Sequence, residues 1–182
     1  PYYQQKDIEN IKKLREMMKA LPPFCTEFFR GIKPRTSTRT RIAYAYDLSV
    51  FFDFLKKENP VFAKMERMDF KLDQITVTDL EEYMEYLKYR FNEQNHEIMN
   101  QERGIMRKIS SLKSFYNYFF RTEKLTTNPA ALVRLPKLHD KEIIRLDVDE
   151  VALLLDAVEQ GEGLTEKQKA FHKRTRLRDL AL

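Results

Sequence analysis

The sequence predicts an all-α fold, and three observations carry that prediction. Apolar residues recur at intervals of three and four through most of the chain, the mark of one buried face on a helix turning 100° per residue. Only 4 of the 182 residues are glycine and 7 are proline, too few to serve the tight turns of an all-β fold. No segment reads convincingly as a strand, and no internal repeat is visible. A chain of this length buries roughly 70% of its unfolded surface, so it folds without help from a metal or a disulfide. The single Cys25 excludes a disulfide framework and a cysteine-based zinc cluster, and suits a reducing compartment.

Taken in order, Ile8, Ile11, Arg15, Met18 and Leu21 keep helical spacing until Pro22-Pro23 stops it, which predicts a helix over about 4–20. A short helix with Phe24, Phe28 and Phe29 follows and ends near Gly31. The segment 33–37 reads as a basic turn with several candidate N-caps. After it Tyr44, Leu48, Phe51 and Leu55 step by 4, 3 and 4, one apolar stripe on a helix over about 38–57 that Asn59-Pro60 ends. Either Thr76 with Asp79 or Thr78 with Glu81 forms a capping box for the next helix. That helix carries Val77, Leu80, Met84, Leu87 and Phe91.

A polar break at 92–95 precedes the longest pattern, through Ile105, Ile109, Leu112, Tyr116 and Phe119. Asn128-Pro129 opens a short helical turn. Residues 136–146 lose periodicity and read as a linker. Asp147 and Glu150 then cap a helix with Val151, Leu154, Leu155 and Val158, closed by Gly161 and Gly163. Thr165 and Gln168 open a last helix that reaches Leu182 with no stop signal. The expected organisation is N-terminal helices (1–31), a helical bundle (32–135), the linker (136–146) and the start of a second domain (147–182) that continues beyond a cut at Leu182.

The formal charge is +5, and its placement says more than its size. No carboxylate lies between Phe28 and Tyr46, where Arg30, Lys33, Arg35, Arg39 and Arg41 stand. None lies between Arg103 and Thr122, where Arg103, Arg107, Lys108, Lys113 and Arg121 stand. The stretch between the two windows, 58–102, is acidic. On the longest helix, Arg103, Arg107, Ser110, Ser114, Asn117 and Arg121 fall opposite the apolar stripe. A face built only for solubility interleaves Glu with Lys. Short hydroxyl and amide side chains flanked by arginines instead let a helix approach phosphates and base edges in a DNA major groove about 12 Å wide. The turn and first helical turn from Arg35 to Arg41 form a second basic site, suited to phosphate at a helix N-terminus. On this reading Arg107 stands clear of the core, and replacing it leaves stability nearly unchanged.

Catalytic and metal-ligating constellations are not found. His96, His139 and His172 are scattered, and Glu81, Glu82 and Glu85 sit where carboxylates favour a helix N-terminus. Tyr44, Tyr83 and Tyr116 fall in apolar stripes and read as core. Cys25, beside Phe24 and Phe28, reads as a small buried apolar residue.

The run Ser37-Thr38-Arg39-Thr40-Arg41-Ile42-Ala43-Tyr44-Ala45-Tyr46-Asp47-Leu48, followed by Phe51, Phe52 and Leu55, resembles the opening helix of the core-binding domain of tyrosine recombinases, the phage integrase family. The run from Ile75 to Tyr83 resembles the family's next helix start. Ile109 to Phe119, then Asn128-Pro129-Ala130 and Leu135-Pro136-Lys137, are similar to its core-binding stretch and exit into the linker. Leu146 to Leu155 and Arg178 to Leu182 resemble the first two helices of the catalytic domain.

The resemblance implies an all-α, SAM-like DNA-binding bundle followed by the truncated start of a catalytic domain. The family's catalytic residues would lie after Leu182, so this chain would not cut DNA alone. The parent would exchange strands through a 3′-phosphotyrosyl link with no metal or nucleotide cofactor. Its partners would be double-stranded DNA and other recombinase protomers, with no membrane association and a cytoplasmic location, in a phage or mobile element. The expected DNA-contacting residues are Arg35, Thr38, Arg39, Thr40, Arg41, Arg103, Arg107, Lys108, Ser110, Ser111, Lys113, Ser114, Asn117 and Lys137. The alternative is a helical protein-interaction module whose basic face is merely solvated.

Overall fold

The computed structural model describes residues 2–92, 94–137 and 145–181, with the side chains of 2–4 left aside. The chain divides into two compact units, 1–138 and 139–182. The first holds α1 (Tyr2–Lys19), α2 (Phe24–Ile32), α3 (Thr38–Glu58), α4 (Val77–Lys88), a hairpin of β1 (Tyr89–Phe91) and β2 (Glu97–Met99), α5 (Glu102–Arg121) and α6 (Pro129–Leu132). The second holds α7 (Val148–Gln160) and α8 (Glu166–Leu180). Among the described residues the protein is all-α but for that one hairpin. Most of the linker, 138–144, lies outside the described residues, as do His139 and Leu182.

Helix starts follow local chemistry. The Ser37 side chain accepts from the Thr40 backbone N–H at 3.1 Å and starts α3. Of the two boxes open at the start of α4, Thr76 with Asp79 is the one formed. Asn128 caps α6, with Pro129 at its first position.

The core of the first unit is aromatic. The Phe115 ring on α5 meets Phe28 of α2 at 5.0 Å between centroids, and contacts Phe52 of α3 and Phe119 of α5. Tyr83 of α4 packs on Phe51 at 5.0 Å. Each ring buries a large apolar area, and edge-to-face geometry adds to it. Packing continues across residue 31, because α2 supplies Cys25, Phe28, Phe29 and Ile32 to the same core as α3 and α5. Burial pushes the Cys25 thiol up, so it stays protonated and unreactive.

The hairpin corrects the reading of 77–91 as continuous helix and of the chain as free of strands. Helix α4 stops at Lys88, and Phe91 lies in β1. Two asparagines bring this about. Asn100 donates its side-chain amide to the Leu87 carbonyl at 2.7 Å, taking an orphaned acceptor at the end of α4. Asn92 accepts from the backbone N–H groups of Gln94 and His96 at 3.0 and 2.8 Å, and Asn95 adopts φ 57°. The strands pair Tyr89 with Met99, Arg90 with Ile98 and Phe91 with Glu97. Three residues per strand is too short to carry a core, so the fold class is unchanged.

In the second unit Gly161 closes α7 at φ 72°, and both expected capping boxes form, at Asp147 and Thr165. A ring nitrogen of His172 lies 2.6 Å from the Val158 carbonyl oxygen. No residue of α7 or α8 is buried; Leu153, Leu154 and Leu155 are all exposed. Among the described residues no helix is long and apolar enough to cross a membrane.

Helix α2 packs tightly on α5 at Gly31, where an added Cβ would lie 2.2 Å from Cε2 of Tyr118. An alanine in a helix normally gains up to about 1 kcal/mol over glycine. Here overpacking outweighs that gain, so Gly31→Ala should destabilise by about 1–3 kcal/mol in urea titration. In a Tyr118→Ala background the same change should cost far less.

Candidate nucleic-acid interface

Two surfaces of the first unit meet in one groove. The turn after α2 brings Arg35 and Thr36 beside Tyr44 of α3, and α5 presents Ser114, Asn117 and Arg121 opposite them. The groove encloses about 410 Å³ and no carboxylate lines it. The Tyr44 hydroxyl donates toward the Ser114 hydroxyl at 3.4 Å, bridging its two walls. The two acid-free windows, far apart in the chain, thus form the walls of one cleft.

On the outer face of α5, Arg103, Arg107, Ser110, Asn117 and Arg121 are exposed and Ser114 is half-buried. From Arg103 to Arg121 this face runs about 27 Å at 1.5 Å per residue, long enough to follow a groove of duplex DNA. Arg35, Arg39, Thr40 and Lys137 are exposed as well.

Four of the expected contact residues point inward instead. Thr38 donates to Asp7 of α1 at 2.5 Å. Arg41, 8% exposed, donates to the carbonyls of Lys33 and Thr36 at 3.1 and 3.3 Å and so fastens the basic turn. Lys108 is buried near the Asn100 side-chain oxygen, and Ser111 is buried against Asp47. Lys113, half-buried, donates to the Val133 carbonyl at 2.9 Å and ties down the segment after α6. Their shared reason is position: each stands at the margin of an apolar stripe, where a long or small polar side chain meets a neighbouring carbonyl or polar side chain before it meets solvent.

Arg107 also corrects its expectation. Its guanidinium grips Asp47 of α3 with two nitrogens, each 2.7 Å from a carboxylate oxygen, and Ser111 donates to the same carboxylate at 2.7 Å. The Asp47 side chain is fully buried, while that of Arg107 remains half exposed. Asp47 was not anticipated, although a signal was present. It falls three residues after Tyr44 and four before Phe51, on the apolar stripe itself, where a carboxylate requires partners.

Burial, then the adjacent Arg107 charge, lowers the Lys108 ammonium below the ordinary lysine range. Burial also raises the Tyr83 and Tyr116 hydroxyls well above the usual tyrosine value, consistent with core roles. Among the described residues no group of His, Cys, Asp or Glu is arranged to hold a metal ion.

The helices, the aromatic core and the acid-free groove between α3 and α5 define an all-α domain with a candidate nucleic-acid interface. Residues 20–135 match the family model of the phage integrase SAM-like domain, and the chain belongs to the tyrosine recombinase family. It is 36% identical over 160 residues to tyrosine recombinase XerC of Caldanaerobacter subterraneus subsp. tengcongensis, covering 81% of this chain and 44% of that protein. It is 30% identical over 185 residues to XerC of Chlorobaculum tepidum, covering 99% and 49%. It is 29% identical over 163 residues to XerC of Chlorobaculum parvum, covering 83% and 44%. The chain thus spans about half the length of these relatives. No solved structure matches it.

Because Arg107 offsets a buried charge, Arg107→Ala should cost roughly 1–3 kcal/mol. That is less than for a fully buried pair, since half the guanidinium is solvated and screened. A double-mutant cycle with Asp47→Ala checks this, and a coupling below about 0.5 kcal/mol would refute it. The Lys108 shift carries its own pH signature. Its folded-state pKa is lowered, so between that value and the unfolded value the unfolded chain holds more protons and stability rises with pH. Urea midpoints should therefore climb relative to Lys108→Met as pH approaches the ordinary lysine value of 10.5.

Proposed function

We propose that the first unit grips double-stranded DNA through the outer face of α5 and the basic turn before α3, as the DNA-binding part of a site-specific recombinase. The observation that carries this reading is the groove in which Arg35 and Thr36 face Ser114, Asn117 and Arg121 with no carboxylate between them. Arginines at the ends and rim of α5 neutralise phosphates, while Ser110, Ser114 and Asn117 are short enough to let the helix enter a major groove and meet base edges. Arg39 and Thr40 lie in the first turn of α3, where the helix dipole favours a phosphate.

The inward residues then have a supporting part. Arg41 holds the turn that presents Arg35, Lys113 holds the chain leading to Lys137, and Ser111 with Asp47 aims Arg107. Family membership supports the wider proposal, that the whole protein acts in DNA integration or recombination together with further protomers on DNA, in the cytoplasm of a cell hosting a phage or mobile element.

Binding should weaken steeply with salt. Neutralising about five phosphates gives a slope of log K against log salt near −4 to −5. Replacing Arg35 and Arg121 together by alanine should bring that slope up by about two units with little loss of stability, since both are exposed. Fluorescence anisotropy with a labelled duplex at several salt concentrations measures both. A flat salt response would favour a protein partner instead.

A further inference from the structure

A second recess lies between α3 and the hairpin, and the groove proposed for DNA plays no part in it. It encloses about 290 Å³ and is lined by Tyr46, Ser49, Asp53, Lys57, Arg90 and Asn92, among others. At 100° per residue the α3 residues Ser49, Asp53 and Lys57 lie roughly half a turn around the helix from Tyr44, which lines the other groove. The two recesses therefore open on different sides of α3.

What distinguishes this recess is Arg90. The residue is only 8% exposed, its Nε is buried without a hydrogen-bond partner, and no carboxylate among the described residues forms an ion pair with it. The one carboxylate among the described lining residues, Asp53, is already held by Arg67. Behind Arg90 the balance is also cationic. Arg90 and Arg107 both lie within electrostatic reach of Lys108, and Asp47, the carboxylate that acts on Lys108, is gripped by Arg107. A buried guanidinium without a counter-charge carries a desolvation cost that a bound anion offsets. Its fork geometry suits a planar or tetrahedral oxyanion. Lys57 at the rim adds a second positive charge, and Ser49 and Asn92 add donors for the remaining oxygens.

We propose that this recess is an oxyanion-binding site, taking a single carboxylate or phosphate group between Arg90 and Lys57. The site is too small for a nucleic-acid strand and open enough for a small organic anion or one acidic side chain.

The test titrates the full chain with sodium phosphate and, separately, sodium acetate, at fixed pH and ionic strength with chloride as reference. The readouts are the Arg90 Nε–H resonance and the thermal midpoint. The expected result is a saturable shift of that resonance by at least one of the two anions. An anion at ten times its Kd should also raise the folded-to-unfolded ratio about elevenfold. Response to phosphate alone identifies a phosphate ligand, and response to acetate alone a carboxylate. Arg90→Gln should abolish the response. Lys57→Gln, at an exposed position and so independent of folding, should weaken it severalfold. A midpoint that rises equally in chloride, or a response that survives both substitutions, overturns the proposal. So does an Arg90 resonance that moves with duplex DNA but with neither small anion.

Discussion

One buried carboxylate governs how the two principal helices meet. Asp47 lies in the core-facing stripe of α3 with its side chain wholly out of solvent, and it takes three donor atoms from α5: two of Arg107 and one of Ser111. An ionised carboxylate in such a place is tolerated only when fully hydrogen-bonded. A bidentate guanidinium constrains the approach in angle as well as distance. The pair therefore fixes both the rotation of α5 and its axial register against α3. Three residues earlier on α3 stands Tyr44, and three later on α5 stands Ser114, and these two meet. A further turn along α5, Tyr118 rests against Gly31. The acid-free groove is what this register leaves open at the surface.

Several basic residues serve the fold before they serve any partner. Arg41 joins the backbone of the turn ahead of α3, Lys113 holds the exit after α6, and Lys108 is enclosed beside Asn100. Each spends its charge on carbonyl or amide oxygens inside the protein, which makes the exposed arginines rigidly mounted. Arg107 stands between the two groups, anchored at one side and solvated at the other. Such a residue presents its free edge in a defined orientation, and little side-chain entropy remains to be lost on binding.

The second unit has the opposite character. Helices α7 and α8 are well capped but bury nothing, with a row of leucines exposed on α7. Good capping and helical periodicity secure each helix locally, whereas stability of a pair this small rests on apolar area that two helices alone do not enclose.

Helix identity, order and approximate ends were legible in the sequence, because apolar spacing, prolines, capping boxes and Gly161 act within a few residues of one another. The two acid-free windows were legible for the same reason, being linear features of charge. The hairpin was not, since it depends on Asn100 reaching back to the end of α4 and on Asn92 folding a turn on itself, in a segment whose last apolar residue, Phe91, still kept helical step. Which basic side chains face outward was only partly readable: the 103–121 face stood as spaced, while Thr38, Arg41, Lys108 and Ser111 turned inward. Periodicity places a residue around its own helix. Only the neighbouring helix decides whether that direction leads to water, to a carbonyl or to a buried carboxylate, and long-range packing alone brought the two windows to one groove and left the Arg90 Nε enclosed with no hydrogen-bond partner among the described residues.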